Sequence, residues 1–149
     1  MSKSNTFEND LLKLIFNGTA IANLADNASS SPLANLYVSL HTGDPGEAGS
    51  QTTSEANYTD YARVAVARTA GGWTVSGNQV VNTAAIVFPE ASGGNNTITH
   101  FAVGTAASGA GKILYSGALT ASLVVSSGIE PRFQAGDLFQ VPGMVALGA

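Results

Sequence analysis

The chain contains no cysteine in 149 residues, little charge and no long apolar run. Without cysteine it has no thiol nucleophile, no thiolate metal cage and no disulfide framework. Charged residues make up 11% of the sequence, where an average soluble domain carries about 25%. Small groups (Ala, Thr, Ser, Gly and Asn) take their place, a composition suited to lying flat against another protein. Ten acidic residues outnumber six basic ones, giving a net charge of −4. The basic residues are scattered along the chain, which argues against phosphate neutralisation and so against direct nucleic-acid binding. No stretch approaches the roughly 18 apolar residues of a membrane-spanning helix. The opening MSKSNTFENDLLKLIFNG places Glu8 and Asp10 before an apolar block that Lys13 interrupts. An export signal needs a cleaner and more positive start. The expectation is a soluble protein made in a cytoplasm, with no membrane partner.

Hydrophobic periodicity divides the chain into a short first segment and a long second one. Phe7, Leu11, Leu14 and Ile15 fall at i, i+4, i+7 and i+8, predicting a helix over 5–17 with one apolar stripe. Asn5 and Glu8 have capping-box spacing, and Asn17-Gly18 supplies a left-handed stop. A helix this short is marginal alone, so its stripe must dock, either on the chain's own sheet or on a neighbouring subunit. Ile21, Ala22, Leu24 and Ala25 allow one further turn before the connection NASSSP at 27–32. From Asn35 the period becomes two. Leu36, Val38 and Leu40 alternate with Tyr37, Ser39 and His41, the pattern of a half-buried strand.

Short strands separated by glycine-rich turns fill the rest of the chain. They are expected at 61–68, 73–75, 79–82, 84–88, 97–105, 112–115, 118–125, 129–133 and 137–141. The polar segment GEAGSQTTSEANYTD at 46–60 reads as a long exposed loop, of the kind that is usually functional or mobile. The pattern predicts a mainly β fold: an antiparallel β-sandwich or jelly-roll-like barrel with a short N-terminal helix. Residues 1–34 form the helix and arm, and 35–149 the β-sandwich domain, within a single globular unit.

Few groups are suited to catalysis. His41 and His100 are the only histidines, and neither lies in a metal-binding spacing. His41 with Asp44 and Glu47 could make a small cation site, but Asp44-Pro45-Gly46 reads more simply as turn chemistry. His100 reads as a packed or interface residue. No GxSxG or phosphate-loop motif occurs, and the Gly-rich stretch GTAASGAG at 104–111 reads as a hairpin turn. No catalytic residue, cofactor or metal is assigned. Trp73, Phe88 and Phe101 suit a core. Tyr58 and Tyr61, ending the polar loop, are the aromatics expected to meet something outside the domain, as a carbohydrate-binding module would require. The candidate interaction residues are Phe7, Leu11, Leu14, Ile15, Tyr58 and Tyr61.

Several motifs resemble one family of small structural proteins of tailed bacteriophages, often labelled tail-fibre-like. They are LLKLIFNGTAIANLADNASSSPLANLYVSLHTGDPGEAGSQTTSE at 11–55, YARVAVART at 61–69, GGWTVSGN at 71–78, ITHFAVGT at 98–105 and SGAGKILYSGAL at 108–119. The resemblance implies a non-enzymatic virion component with a β-sandwich body. The chain has no heptads and no shaft repeat, so the expectation is a capsid decoration (cement) protein. Such a protein would bind the major capsid protein lattice and neighbouring copies of itself, as a trimer or else a dimer. A tail fibre or tail-associated protein in host attachment is the alternative.

Overall fold

The computed structural model describes residues 5–21, 32–141 and 144–147; the side chains of Asn5, Phe7 and the residues after 138 lie outside that description. The helix α1 covers Asn5–Phe16. It ends where Gly18 turns left-handed (φ +64°), letting the Thr19 amide donate back to Lys13 O at 3.1 Å. The proposed Asn5 cap and the further turn across 22–25 fall outside the described residues, apart from Ile21.

Ten strands follow. They are β1 (Asn35–His41), β2 (Val64–Ala67), β3 (Trp73–Ser76), β4 (Gln79–Asn82), β5 (Ile86–Val87), β6 (Asn96–Gly104), β7 (Ile113–Val125), β8 (Arg132–Phe133), β9 (Leu138–Val141) and β10 (Met144–Leu147). One four-stranded sheet has the order β2-β1-β6-β7, a second β10-β9-β4-β3, and β5 pairs with β8. Every pairing is antiparallel. The fold is the mainly β sandwich that the two-residue periods predict.

The core is one cluster fed by the helix and by strands of all three sheets. Leu36, Val38 and Leu40 of β1 are buried, with Trp73, Val80, Ile86, Phe88, Ile98, Phe101, Val125 and Phe133. Aromatic edges knit the layers: Phe133 meets Phe88 at 6.1 Å and Phe101 at 5.9 Å between ring centres. The helix docks on this core rather than projecting from it. Among its described side chains Leu12 and Phe16 are the buried ones, and the Phe16 ring packs edge-on to Trp73 at 4.8 Å. The docked face is centred on Leu12 and Phe16 and shares Ile15, which packs against the same core, with the Phe7, Leu11, Leu14, Ile15 stripe. The sequence LLKLIF is apolar on more than one side, and the broad Trp73 ring selects Phe16.

Several strands differ from their sequence patterns: β2 and β8 are shorter than the expected 61–68 and 129–133, β10 has no expected counterpart, and two further departures bear on the site. Residues 113–125 form a single strand of 13 residues, and Gly117 does not divide it. Its irregularities lie on either side: Val103 pairs with Tyr115 but Gly104 with Ile113, which skips Leu114, and Ala118 pairs with His100 but Leu123 with Ile98, so 119–122 bulge out opposite Thr99. The β1 alternation also fails at its end, where Ser39 and His41 are as buried as Leu40. A covering segment on the far face explains that burial.

Candidate functional site

The cover is the segment expected to be an exposed loop. Residues 50–56 form a strap along the end of β1: the Thr42 amide donates to Ser54 O at 2.7 Å, and the Ala56 amide to Leu40 O at 2.8 Å. Beta-bridge geometry places Glu55 beside His41. Gln51, Ala56 and Tyr58 are buried. The segment is polar, yet it enters the interior because its polar groups find partners there.

Gln51 is the anchor. Its side-chain Oε1 accepts the Ala106 amide at 3.0 Å, its Nε2 donates to Tyr37 O at 3.3 Å, and its backbone amide donates to Gly111 O at 2.9 Å. The glycines of GTAASGAG make its socket. A Cβ at Gly104 would lie 2.2 Å from Gln51 Cδ, and one at Gly111 the same distance from Oε1.

Beside it lies a half-buried ion pair. Glu55 receives Arg63 Nε on Oε1 at 2.6 Å and Nη2 on Oε2 at 2.8 Å, a two-pronged contact. The guanidinium has two further acceptors, Ala106 O and Gly109 O, at 2.9 and 2.8 Å. The Tyr61 hydroxyl donates to Glu55 Oε1 and accepts the Leu40 amide. Burial pushes the Tyr61 phenol well above its usual range, and pushes that of Tyr58 up to about 12. The Tyr58 hydroxyl donates to Pro89 O at 3.0 Å, and its ring packs against Tyr61 at 5.3 Å. The outward-facing tyrosines expected from sequence are thus turned inward: Tyr58 is buried and Tyr61 half-buried, because carbonyl and carboxylate partners hold their hydroxyls inside.

His41 completes the cluster. Thr53 O can only accept, so His41 Nδ1 carries the proton and donates to it at 2.8 Å. Nε2 then accepts from Ser39 Oγ at 2.9 Å. Burial lowers the His41 pKa, keeping the ring neutral. Hydroxyl, imidazole and carbonyl stand in the order of an activated nucleophile. Both Ser39 and His41 are 0% exposed, however, so no substrate reaches the hydroxyl in this form. What the arrangement does is hold the strap to β1. The cation site considered for His41, Asp44 and Glu47 does not assemble: His41 faces Thr53, and Asp44 Oδ1 accepts the Gly46 amide at 2.9 Å, as turn chemistry predicts. Among the described residues no cluster of three or more His, Asp or Glu is placed to hold a metal.

Open surface lies elsewhere. A groove of about 250 Å³, largely apolar, runs between the bulged part of β7 and β8, lined by Leu119, Leu123, Ile129 and Phe133, with Glu130 and Arg132 among its residues. Leu14 and Ile15 line another groove, of about 210 Å³, with Leu33, Leu36 and Leu114. Leu11 is half-buried on the helix. The side chain of Phe7 lies outside the described residues. Sequence reasoning missed Gln51, Ser39, Glu55 and Arg63; the contrast of Gly104 and Gly111 with an isolated Gln was the available signal, and it is faint.

By its fold and interior this is a structural β-sandwich, with its polar cluster closed, two largely apolar grooves open to solvent and a more polar hollow of about 380 Å³ between the Asp44–Glu47 turn and the start of β7. The chain belongs to the family described as podophage GP4 fiber I protein gp80, which matches residues 2–140. It is thus a tailed-phage virion structural protein of fibre-like type. No curated protein matches it. Among the described residues no helix is long and apolar enough to cross a membrane.

Proposed function

We propose that this chain is a tail-fibre or tail-associated structural subunit that serves host attachment by binding, not by catalysis. The match of residues 2–140 to a family described as a fibre protein carries this reading. It reverses the order set by the sequence, in which a compact domain without shaft repeats favoured capsid decoration over a fibre. Compactness restricts what one domain can reach. It does not restrict where a small subunit sits within a larger fibre assembly.

The surface suits such a subunit. Low charge and abundant small residues reduce the desolvation cost of packing against other chains. The grooves beside β8 and α1 supply apolar contact with neighbouring copies or other tail proteins. A closed cyclic oligomer, a trimer first and a dimer second, matches this use.

Electron microscopy of intact particles carrying tagged protein tests the assignment. A few copies at the tail are expected. Copies in the hundreds over the shell would return the reading to capsid decoration, with the major capsid protein as partner. Turnover of a glycan by the purified chain would remove both.

A further inference from the structure

The chain's only two histidines meet in the fold. His41 on β1 and His100 on β6 are direct cross-strand partners. The bridge to Glu55 extends the row, so Glu55, His41 and His100 lie side by side from the strap across two strands. Cross-strand neighbours have Cβ atoms about 4.5–5.5 Å apart, and like charges placed there repel.

The strap is fixed at Gln51, but beyond that anchor it meets β1 through fewer ladder bonds than the neighbouring strands do. Beta1 pairs with β6 through five successive residues and with β2 through four. Strap and β1 are joined by the Gln51–Tyr37 bond at one end and, past it, by one isolated bridge, the Thr42 and Ser54 contacts, the Ala56–Leu40 bond and the His41–Thr53 bond. The strap is also strained, since Ser54 sits at φ +54° without being glycine. Opening it would relax Ser54 and bring the imidazole into water.

We propose that residues 52–56, beyond the Gln51 anchor, are an acid-releasable strap, latched to β1 by His41 between Ser39 and Thr53 and opposed by His100. A proton on His41 would place a cation in a fully buried site. Ser39 can turn to accept from the new N–H while donating to Ala102 O, 3.4 Å away, so hydrogen bonding does not block uptake; burial of charge does. The charged and titratable groups around the ring are Glu55 of the strap, Arg63 ahead of β2 and His100 of β6, with the Tyr61 hydroxyl on Glu55. Glu55 and Arg63 act on the imidazolium with opposite sign. Their ion pair also opposes release, and so sets how far below neutrality release falls.

The sign follows from linkage. The closed form holds His41 below its ordinary value of 6.5. The open form titrates normally, so it gains protons first as pH falls. The closed form is therefore favoured above about pH 6.5, and the opening constant rises by up to about tenfold per pH unit below it. Release uncovers the edge of β1 from Leu40 to Thr42, leaving backbone groups free to pair with another strand.

Hydrogen exchange on the full chain, resolved by residue, tests this. The reporters are the Thr42 and Ala56 amides, compared in the same sample with the β1–β6 amides, so that the common pH dependence of exchange cancels. From pH 7.5 to 5.0 the strap-to-core ratio should rise, by a factor set by how far the closed form depresses His41, and His41→Gln should remove the rise. An unchanged ratio, or equal acceleration of strap and core, would overturn the proposal. Should the variant fail to fold, an NMR titration of the wild-type rings decides. His41 should take up its proton together with strap opening; uptake with the strap still protected sinks the idea.

Discussion

At the scale of single residues, the decisive feature is a glutamine in a glycine socket. Gln51 is fully buried and satisfied on both amide atoms, so its position is fixed by partners rather than by apolar contact. Such a group resists displacement. A methyl at Gly104 must occupy the space of the Gln51 carboxamide, and all three of the nearest atoms to that Cβ are in this one side chain. Gly104→Ala should therefore cost about 2–4 kcal/mol, from overpacking together with the lost hydrogen bonds of Gln51. Gln51→Ala should cost about 2–3 kcal/mol by stranding the Ala106 amide and leaving a void. The two are not independent, since shortening Gln51 empties the space that the methyl needs. Urea denaturation should find the double variant about as stable as Gln51→Ala alone, a coupling of about 2 kcal/mol or more. Additive losses would show that Gly104 is constrained by something other than Gln51.

At the scale of elements, one arginine ties the helix to the sheet. Arg68 follows β2 and donates from Nη2 to Leu14 O and from Nε to Ile15 O, both at 2.6 Å, and from Nη1 to Leu33 O at 3.0 Å. The last carbonyls of α1 have no partner within the helix, and a cation at that end also meets the negative pole of the helix dipole. Arg68→Ala should cost about 1–3 kcal/mol in chemical denaturation. Arg68→Lys should recover less than half, because an ammonium cannot span three carbonyls as a planar fork does. The sequence predicts the helix and its stop, but not this tie, because the partners are backbone carbonyls without a side-chain signature. Legibility follows the same line elsewhere. Leu36, Val38 and Leu40 announce β1 by burial of alternate apolar groups, and the turn SGN at 76–78 announces the β3–β4 hairpin. The strap at 50–56 is invisible to the same reading, since hydropathy takes Gln51, Thr53 and Glu55 for solvent-facing residues. Only three-dimensional pairing with Tyr37, His41 and Arg63 turns them inward. Tyr58 and Tyr61 are misplaced for that reason too, being taken from the end of a loop that is in fact a cover.

At the scale of the whole molecule, the question is whether the first segment serves the fold or the assembly. A docking stripe can satisfy either, and a subunit built for contact could extend its helix to a neighbour. The packing favours the fold. Phe16 is 2% exposed and Trp73 1%, and Phe16 also stacks on Tyr115 at 5.4 Å, so one helical residue closes over aromatics from β3 and β7. Phe16→Ala alone should cost about 3–5 kcal/mol. A domain of this size has about 5–15 kcal/mol in total. Removing residues 1–17 takes away Phe16 and Leu12 together, uncovers Trp73 and leaves Arg68 without two of its acceptors. The truncated chain should consequently lose its cooperative thermal transition, and its tryptophan fluorescence should shift to the red as water reaches the indole. An arm that reached only a neighbour would behave differently. Its loss would leave the melting curve of the monomer in place and abolish only association, which sedimentation of the truncated and full chains at matched concentrations would reveal.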